Sequence, residues 1–239
     1  MNKFLLLLLF TFPCWASSQI NLELGQVENT YNKVKISGDV GTRFNLAPSF
    51  DDVNFYYRLS FSHKFKSRHG FRLLYAPLKI TGDRSYSDNI NFQGVQFNAN
   101  ENITTEYQFN SYRGSYFYQL IDEARWIVRI GATLKVRDAK VELKQGSTSK
   151  FKKNTGLVPL FYLFSEYKWD HGFRIAFDFD GLAAPQGRAF DIGLMLGKYI
   201  LSSLHINIGY RVLEGGVDNE KVYNFSQFNY LFTSIQYDF

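Results

Sequence analysis

The chain has little of what cross-links or stiffens small secreted proteins. Among its 239 residues there is one cysteine, Cys14, which excludes a disulfide scaffold. No apolar run approaches the roughly 20 residues that a helix needs to span a bilayer, which excludes a helical membrane protein. Histidine is scarce, with four in all, so few side chains are available as general bases near neutral pH. Charge of one sign is also modest: 27 Lys and Arg face 22 Asp and Glu, a formal net +5. Nothing points to a nucleic-acid partner, and no motif calls for a cofactor or a metal. What is abundant is aromatic. Tyr (16) and Phe (24) are heavy, and aromatics make up 18% of the chain, too many to stay solvated in a disordered protein.

The first eighteen residues read as a secretory signal peptide. Lys3 is a short basic region, Phe4 to Phe12 an apolar stretch too short to span, and Ala16-Ser17-Ser18 a set of small residues at a cleavage site before Gln19. Pro13 precedes Cys14 where a lipobox needs Gly or Ala, so lipidation is rejected. The expected organisation is a leader over 1–18 and a single domain over 19–239. Without the leader the chain has no cysteine. It must then be held by backbone pairing and burial.

From Ile20 onward apolar and polar residues alternate with period two, the mark of strands. Phe55, Tyr57, Leu59 and Phe61 alternate with polar neighbours. So do Trp126 to Leu134, Phe173 to Phe179, Phe190 to Leu196 and Leu204 to Tyr210. Ten strands follow, near Gln19–Asn29, Val53–Phe65, Gly70–Thr81, Thr105–Leu120, Arg125–Leu143, Leu157–Trp169, Phe173–Leu182, Arg188–Ile200, Leu204–Glu214 and Phe225–Phe239. Four connections are very short: Lys66 to His69, Ile121 to Ala124, Asp170 to Gly172 and Leu201 to Ser203. They alternate with connections that are mostly longer, with Ala184 to Gly187 the exception. Short turns on one side and long loops on the other signify a membrane β-barrel rather than a soluble sandwich. The expected fold is therefore all-β, an antiparallel up-and-down transmembrane barrel of about ten strands. In the fifth strand apolar residues switch from even positions (Trp126 to Val136) to odd ones (Ala139 to Leu143). That switch predicts a bulge near Arg137–Asp138.

Strand ends beside the short turns carry Phe65, Phe71, Tyr118, Trp126, Trp169, Phe173 and Tyr199. Rings of this kind suit a membrane–water interface, here a periplasmic girdle.

The C-terminal Phe239, with Tyr237, Ile235 and Leu231 on its face, resembles the terminal-strand signal of bacterial outer-membrane β-barrel proteins. The resemblance implies a bacterial outer-membrane location, insertion by the barrel-assembly machinery, and contact with outer-membrane lipid and lipopolysaccharide. An even strand count places both termini on the periplasmic side. Barrels of this class include proteases, phospholipases and lipid A-modifying enzymes, which by implication carry a catalytic His at the outer-leaflet or extracellular end. Here His63, His69, His171 and His205 fall at the opposite end, so no catalytic residue is assigned and no enzyme is expected.

Polar residues at mid-strand face the lumen in such a barrel. Asp178, Asp180 and Asp191 share the lumenal face of the hairpin turning at Pro185–Gly187, and Arg58, Arg113, Arg129, Arg137 and Arg211 are available partners. A buried charge must be paired, so a lumenal charge network is expected. Lys140, Lys144, Lys150, Lys152 and Lys153 around the third long loop are candidate contacts for lipopolysaccharide phosphates. The aromatics Tyr86, Phe92, Phe97 and Tyr107 near the second loop are expected to pack the extended hairpin against itself, the alternatives being that they cap the mouth or bind an apolar solute. The function these readings imply is a non-enzymatic structural or surface-interaction protein with a side-chain-filled lumen. The alternative is a narrow channel or carrier for a small or amphipathic solute, supported by lumenal Gly193, Gly197, Gly209 and Ser60. An enzyme acting on lipid or peptide ranks third. The sequence does not fix an oligomeric state.

Overall fold

A computed structural model describes residues 17–36, 40–50, 53–220 and 222–239. Strands come in the order β1 (Ser17–Lys35), β2 (Arg43–Asn45), β3 (Asn54–Lys64), β4 (His69–Ala76), β5 (Lys79–Ser85), β6 (Ile90–Phe92) and β7 (Val95–Phe97). They continue as β8 (Asn102–Asp122), β9 (Trp126–Gln145), β10 (Thr148–Lys168), β11 (Phe173–Ala184), β12 (Gly187–Leu201), β13 (Leu204–Asn219) and β14 (Val222–Asp238). Every pairing is antiparallel, the wall follows chain order with the short β2, β6 and β7 set aside, and β14 returns to β1, so the wall closes. Closure of β14 on β1 leaves no open edge between the first and last strands, where an unpaired backbone group in lipid would cost several kcal/mol. The wall has ten positions, because β4 and β5 share one against β8 on either side of Pro77. Proline has no N–H to give to a ladder, and the strand breaks there. The fold is the expected one. Most of the expected leader lies outside the described residues. Its last two, Ser17 and Ser18, continue β1 and pair with Lys64 and His63.

The barrel has two zones. In the zone nearer the termini the side-chain pattern is inverted relative to a soluble protein. Leu24, Phe55, Leu134, Leu194, Ile208 and Leu231 are exposed on the outside, while Glu23, Arg58, Arg113, Asp180, Asp191 and Arg211 are buried inside. A continuous apolar outer wall on this scale is the solvent-facing surface of a protein whose solvent is lipid. Beyond this zone the strands run on as long hairpins, and the pattern reverts to that of a soluble protein. Val34, Ile36, Phe44, Phe92, Phe97, Tyr107, Val141, Leu143 and Phe228 form an inward apolar core. The second-loop aromatics Phe92, Phe97 and Tyr107 are thus core residues of a cap, and Tyr86 packs against it.

This two-zone design overturns the expected bulge. β9 pairs without interruption through Arg137 and Asp138, with Ser111 and Asn110 on one side and Gly156 and Thr155 on the other. Odd-numbered residues face inward throughout. The apolar face changes sides because the medium outside changes from lipid to water, not because a residue is inserted. Register shifts occur instead at Asn29/Tyr31 in β1, Gln119/Ile121 in β8 and Tyr199/Leu201 in β12.

The expected third loop is also a strand. β9 and β10 pair to the very tip, Gln145 with Thr148, across a two-residue turn. Gly146 takes the left-handed conformation there, φ 56°, which costs a glycine little.

Candidate functional site: the lumenal charge layer and the cavity above it

Two polar levels fill the bore beneath a cavity. The lower lies beside the termini. Arg174 Nη2 is 3.0 Å from Glu166 and its Nη1 is 2.6 Å from His205 Nδ1. His205 Nε2 lies 2.9 Å from the Asp238 carboxylate. An arginine can only donate, so His205 Nδ1 is the acceptor and the ring carries its proton on Nε2. Nearby, the Ser18 hydroxyl and His63 Nδ1 are 2.9 Å apart.

The upper level crosses the whole bore. Asp180 and Asp191 are direct cross-strand partners on β11 and β12. Arg113 spans them, with Nη1 2.7 Å from Asp180 and Nη2 2.6 Å from Asp191. Arg58 reaches Asp191 at 2.9 Å, and Arg72 reaches Asp178 at 2.9 Å and Asp180 at 2.5 Å. Arg211 joins Asp191 at 2.6 Å, Glu23 at 2.9 Å and Asp178 at 3.2 Å. Thr133 donates to Asp180 at 2.6 Å. Four guanidiniums thus meet four carboxylates, each nearly removed from solvent. Such burial is costly unless the charges are paired, and the layer answers this by being neutral and shared, although Glu23 Oε2, Arg58 Nε and Nη2 and Arg211 Nε make no hydrogen bond among the described residues.

Of the residues expected in this network, Arg58, Arg113, Asp178, Asp180, Asp191 and Arg211 come together. Arg129 does not: it donates to Gln119 at 3.2 Å and Gln19 at 3.3 Å and stacks over Phe117 and Phe164. Arg137 does not either, because it lies higher and donates to Asn154. Glu23 and Arg72 belong to the network and were missed. Their signal was present, since both are charged residues at inward parity in mid-strand.

The lumenal glycines leave no bore open. A Cβ on Gly193 would sit 2.8 Å from Arg211 Cζ, and one on Gly209 would sit 2.4 Å from Phe232 Cζ. A Cβ on Gly197 would meet Asn207 Oδ1 at 2.0 Å. These glycines make room for large neighbours. Ser60 borders a void of only about 60 Å³.

Phe65, Trp126, Trp169 and Phe173 are exposed beside the short turns, and Phe71 and Tyr118 are half-buried among them. Tyr199 departs from this ring of aromatics, because it has the inward parity of Asp191 and Gly193 on β12 and packs on its cross-strand partner His205 with ring centres 3.7 Å apart. Leu231, Ile235, Tyr237 and Phe239 form one exposed row on β14. Phe239 and Ser18 exchange backbone hydrogen bonds of 2.9 Å each.

Of the five lysines on the third hairpin, two are occupied. Lys140 pairs with Glu106 and Glu142, and Lys144 lies 3.3 Å from Glu142. The hydrogen bond from Lys140 pushes Glu142 down to about 2, against the opposing effect of burial. Burial works against Glu106 as well, yet hydrogen bonds from Lys79 and Lys140 hold it below its usual range. Lys150, Lys152 and Lys153 are exposed and make no ion pair among the described residues.

Above the charge layer and beneath the cap lies a cavity of about 440 Å³, within the size range of small-ligand sites. Its wall is mostly apolar, from Phe109, Val141, Val158, Leu182 and Leu213, with Lys135 and Arg137 among the polar residues. Sequence reasoning did not find it, because it depends on where β10 loses a neighbour.

The four histidines lie at the end of the barrel that carries the termini and short turns, far along the strands from this cavity. Among the described residues no cluster of His, Cys, Asp or Glu is placed to hold a metal.

No family model matches the chain, and no curated protein matches it. Solved structures do. The outer-membrane protease OmpT of Escherichia coli superposes with a TM-score of 0.59 at 10% identity, over 93% of this chain and 97% of that one. The attachment invasion locus protein Ail of Yersinia pestis gives 0.42 at 10% identity, over 92% and 99%. Neisserial surface protein A gives 0.39 at 12% identity, over 94% and 97%. The chain has the fold of a bacterial outer-membrane β-barrel. At such identities the likeness extends to the fold and to no activity.

Proposed function

We propose that this protein is an integral outer-membrane barrel that neither conducts ions nor catalyses a reaction, and that acts at the cell surface through its cap and long hairpins. Its termini and short turns lie on the periplasmic side. The observation that carries this reading is the neutral layer of four arginines and four carboxylates across the bore. An ion crossing that layer would have to displace paired, buried charges.

The same layer argues against carboxylate catalysis. A general acid needs a carboxyl poised to hold and release a proton. Asp180 and Asp191 are instead shared among guanidiniums, and Asp180 also accepts from Thr133. No histidine stands near them to act as base. Exposed Lys150, Lys152 and Lys153 suit contact with lipopolysaccharide phosphates, and the Leu231–Phe239 row suits recognition by the barrel-assembly machinery.

The test is planar-bilayer recording of the purified, refolded barrel. The expected trace is flat at physiological salt. Steady openings of nanosiemens size would overturn the reading and favour the channel alternative.

A further inference from the structure

The cavity above the charge layer opens sideways. β10 pairs with β11 only from Lys168 up to Phe161, which faces Gly181. β11 then turns into β12 at Ala184–Gly187, while β10 runs on to Thr148 paired with β9 alone. Above Phe161 the wall therefore has a gap between the free edge of β10 and the β11–β12 hairpin. Pro159 stands on that free edge, a place where a strand tolerates proline. The cavity reaches both faces of β10 at this point, since inward Val158 and Asn154 and outward Leu157 and Pro159 all line it. It passes through the wall.

The height of the gap is informative. Leu157 pairs with Val136, and these are the last outward apolar residues on β10 and β9 before the polar Thr155 and Asp138. Leu157 is 67% exposed and Leu182, across the gap, 44%. The opening thus sits where the apolar belt gives way to the polar rim, the level at which the head of an amphiphile meets its chain.

The charges inside are one-sided. Lys135 is 2% exposed and lines the cavity. Among the described residues it has no carboxylate within ion-pair distance, and its Nζ lies 4.7 Å over the Phe109 ring. A buried ammonium without a counter-ion is costly. Arg137 also lines the cavity, bonds only to the neutral Asn154 among the described residues, and leaves Nε without a partner. The one carboxylate in the lining, Glu214, is held by Arg188 at 2.8 Å and by Tyr31.

An apolar chamber, two inward cations without a carboxylate partner, a third in the exposed Lys152 of the lining, and a lateral mouth at the lipid boundary together define a ligand class. We infer that this cavity binds a single-chain anionic amphiphile, a long-chain carboxylate, which enters sideways through the β10–β11 gap and sets its head against Lys135 and Arg137. The charge layer beneath stops it from passing on, so the site retains its ligand at the outer end of the barrel.

The test uses the full-length barrel in phosphatidylcholine nanodiscs with radiolabelled hexadecanoate as probe. The expected result is saturable binding at one site per barrel, not displaced by hexadecanol or by acetate at the same concentration. Lys135→Met should weaken binding about tenfold or more, the loss expected for one charge-assisted hydrogen bond, and Lys135→Arg should restore most of it. Arg137→Gln reports on the same head group without burying a new apolar residue, and it replaces Lys135→Met should that variant fail to give a heat-modifiable barrel. Equal binding of hexadecanol and hexadecanoate, binding unchanged in both variants, or no saturable binding would each overturn the inference. Conductance is silent on all three, so failure here leaves the non-conducting reading standing, and a conducting barrel would not by itself remove the site.

Discussion

Asp180 and Asp191 face each other directly across β11 and β12, and a single guanidinium, that of Arg113, bridges them at 2.7 and 2.6 Å. Two carboxylates at adjacent, buried, inward positions would repel each other without it. Because Arg113 comes from β8, on the far side of β9 and β10, the bridge also ties non-adjacent parts of the wall together.

Removing that bridge should therefore be expensive. Arg113→Met leaves two buried carboxylates short of a partner, and breaking one side of a buried pair costs about 3–5 kcal/mol. The expected outcome is a lower urea midpoint for the detergent-refolded barrel and a lower temperature for its heat-induced gel shift. Asp178→Asn with Asp180→Asn should lower heat resistance as well. Adding Asp191→Asn to Arg113→Met should recover part of the loss, because it removes one of the stranded charges. Additive losses in the pair would show that the two residues are not coupled.

The glycine positions separate a filled lumen from an empty one. Gly193→Ala places a methyl 2.8 Å from Arg211 Cζ, in a guanidinium already fixed by Glu23, Asp178 and Asp191. The arginine has no free direction in which to yield, so a loss of about 1–3 kcal/mol is expected, as for overpacking in a core. Gly114→Ala is the control, since nothing lies within 4 Å of the added carbon. Equal stability of the two variants in urea titration would mean that Arg211 is less constrained than its partners imply.

The third hairpin should respond to acid. Glu142 is pushed down to about 2 from an ordinary 4.5, chiefly by the hydrogen bond from Lys140. A carboxylate with a lowered folded-state pKa contributes stability that is fully present above its unfolded value and fades as pH falls through the folded one. The hairpin should therefore hold at pH 5 and loosen between about 4.5 and 2. Carboxyl carbon NMR of labelled glutamate should show Glu142 titrating near 2, and Lys140→Met should move that midpoint up toward 4.5. A wild-type midpoint near 4.5 would show that the Lys140 contact is not formed in solution.

How much of this was legible in the sequence follows from what period two encodes. Alternation gave the ten strands and their inward faces, and the short turn at Ala184–Gly187 sets the register that brings Asp180 opposite Asp191. It misled wherever the medium outside the wall changed. Ala139, Val141 and Leu143 keep the inward parity of Lys135 and Arg137, yet they read as a slip because apolar had been equated with lipid-facing. Above the belt, apolar means cap-facing. Most of the expected third loop, Thr148 to Thr155, is a strand for the same reason, since exposed polar residues on a water-facing arm carry no alternation. Glu23 and Arg72 were at the right parity and were passed over. The β10–β11 gap was beyond reach, because it arises from the different lengths of neighbouring hairpins rather than from any residue pattern.

The last prediction concerns barrel closure. Phe239 and Ser18 exchange two backbone hydrogen bonds of 2.9 Å, and the Phe239 ring lies 6.4 Å from that of Phe61 and 5.9 Å from that of Tyr237. Deleting Phe239 removes those contacts at one end of a ladder that otherwise runs from Gln19↔Asp238 to Lys35↔Tyr223. Burial of one aromatic contributes at most about 1.5–3 kcal/mol, and an end hydrogen bond adds about 1 kcal/mol. The remaining β1–β14 pairs are ample to close the wall, so refolding into detergent micelles should be only modestly weakened, with a small drop in urea midpoint. Delivery in cells is different if the exposed row of Leu231, Ile235, Tyr237 and Phe239 is what the assembly machinery reads. The outer-membrane yield of the deletion should then fall sharply, several-fold beyond the change in refolding. Phe239→Tyr, which keeps a ring in the row, should recover much of it. A cellular yield that falls only in step with the refolding yield would assign Phe239 to closure alone and remove its role as an assembly signal.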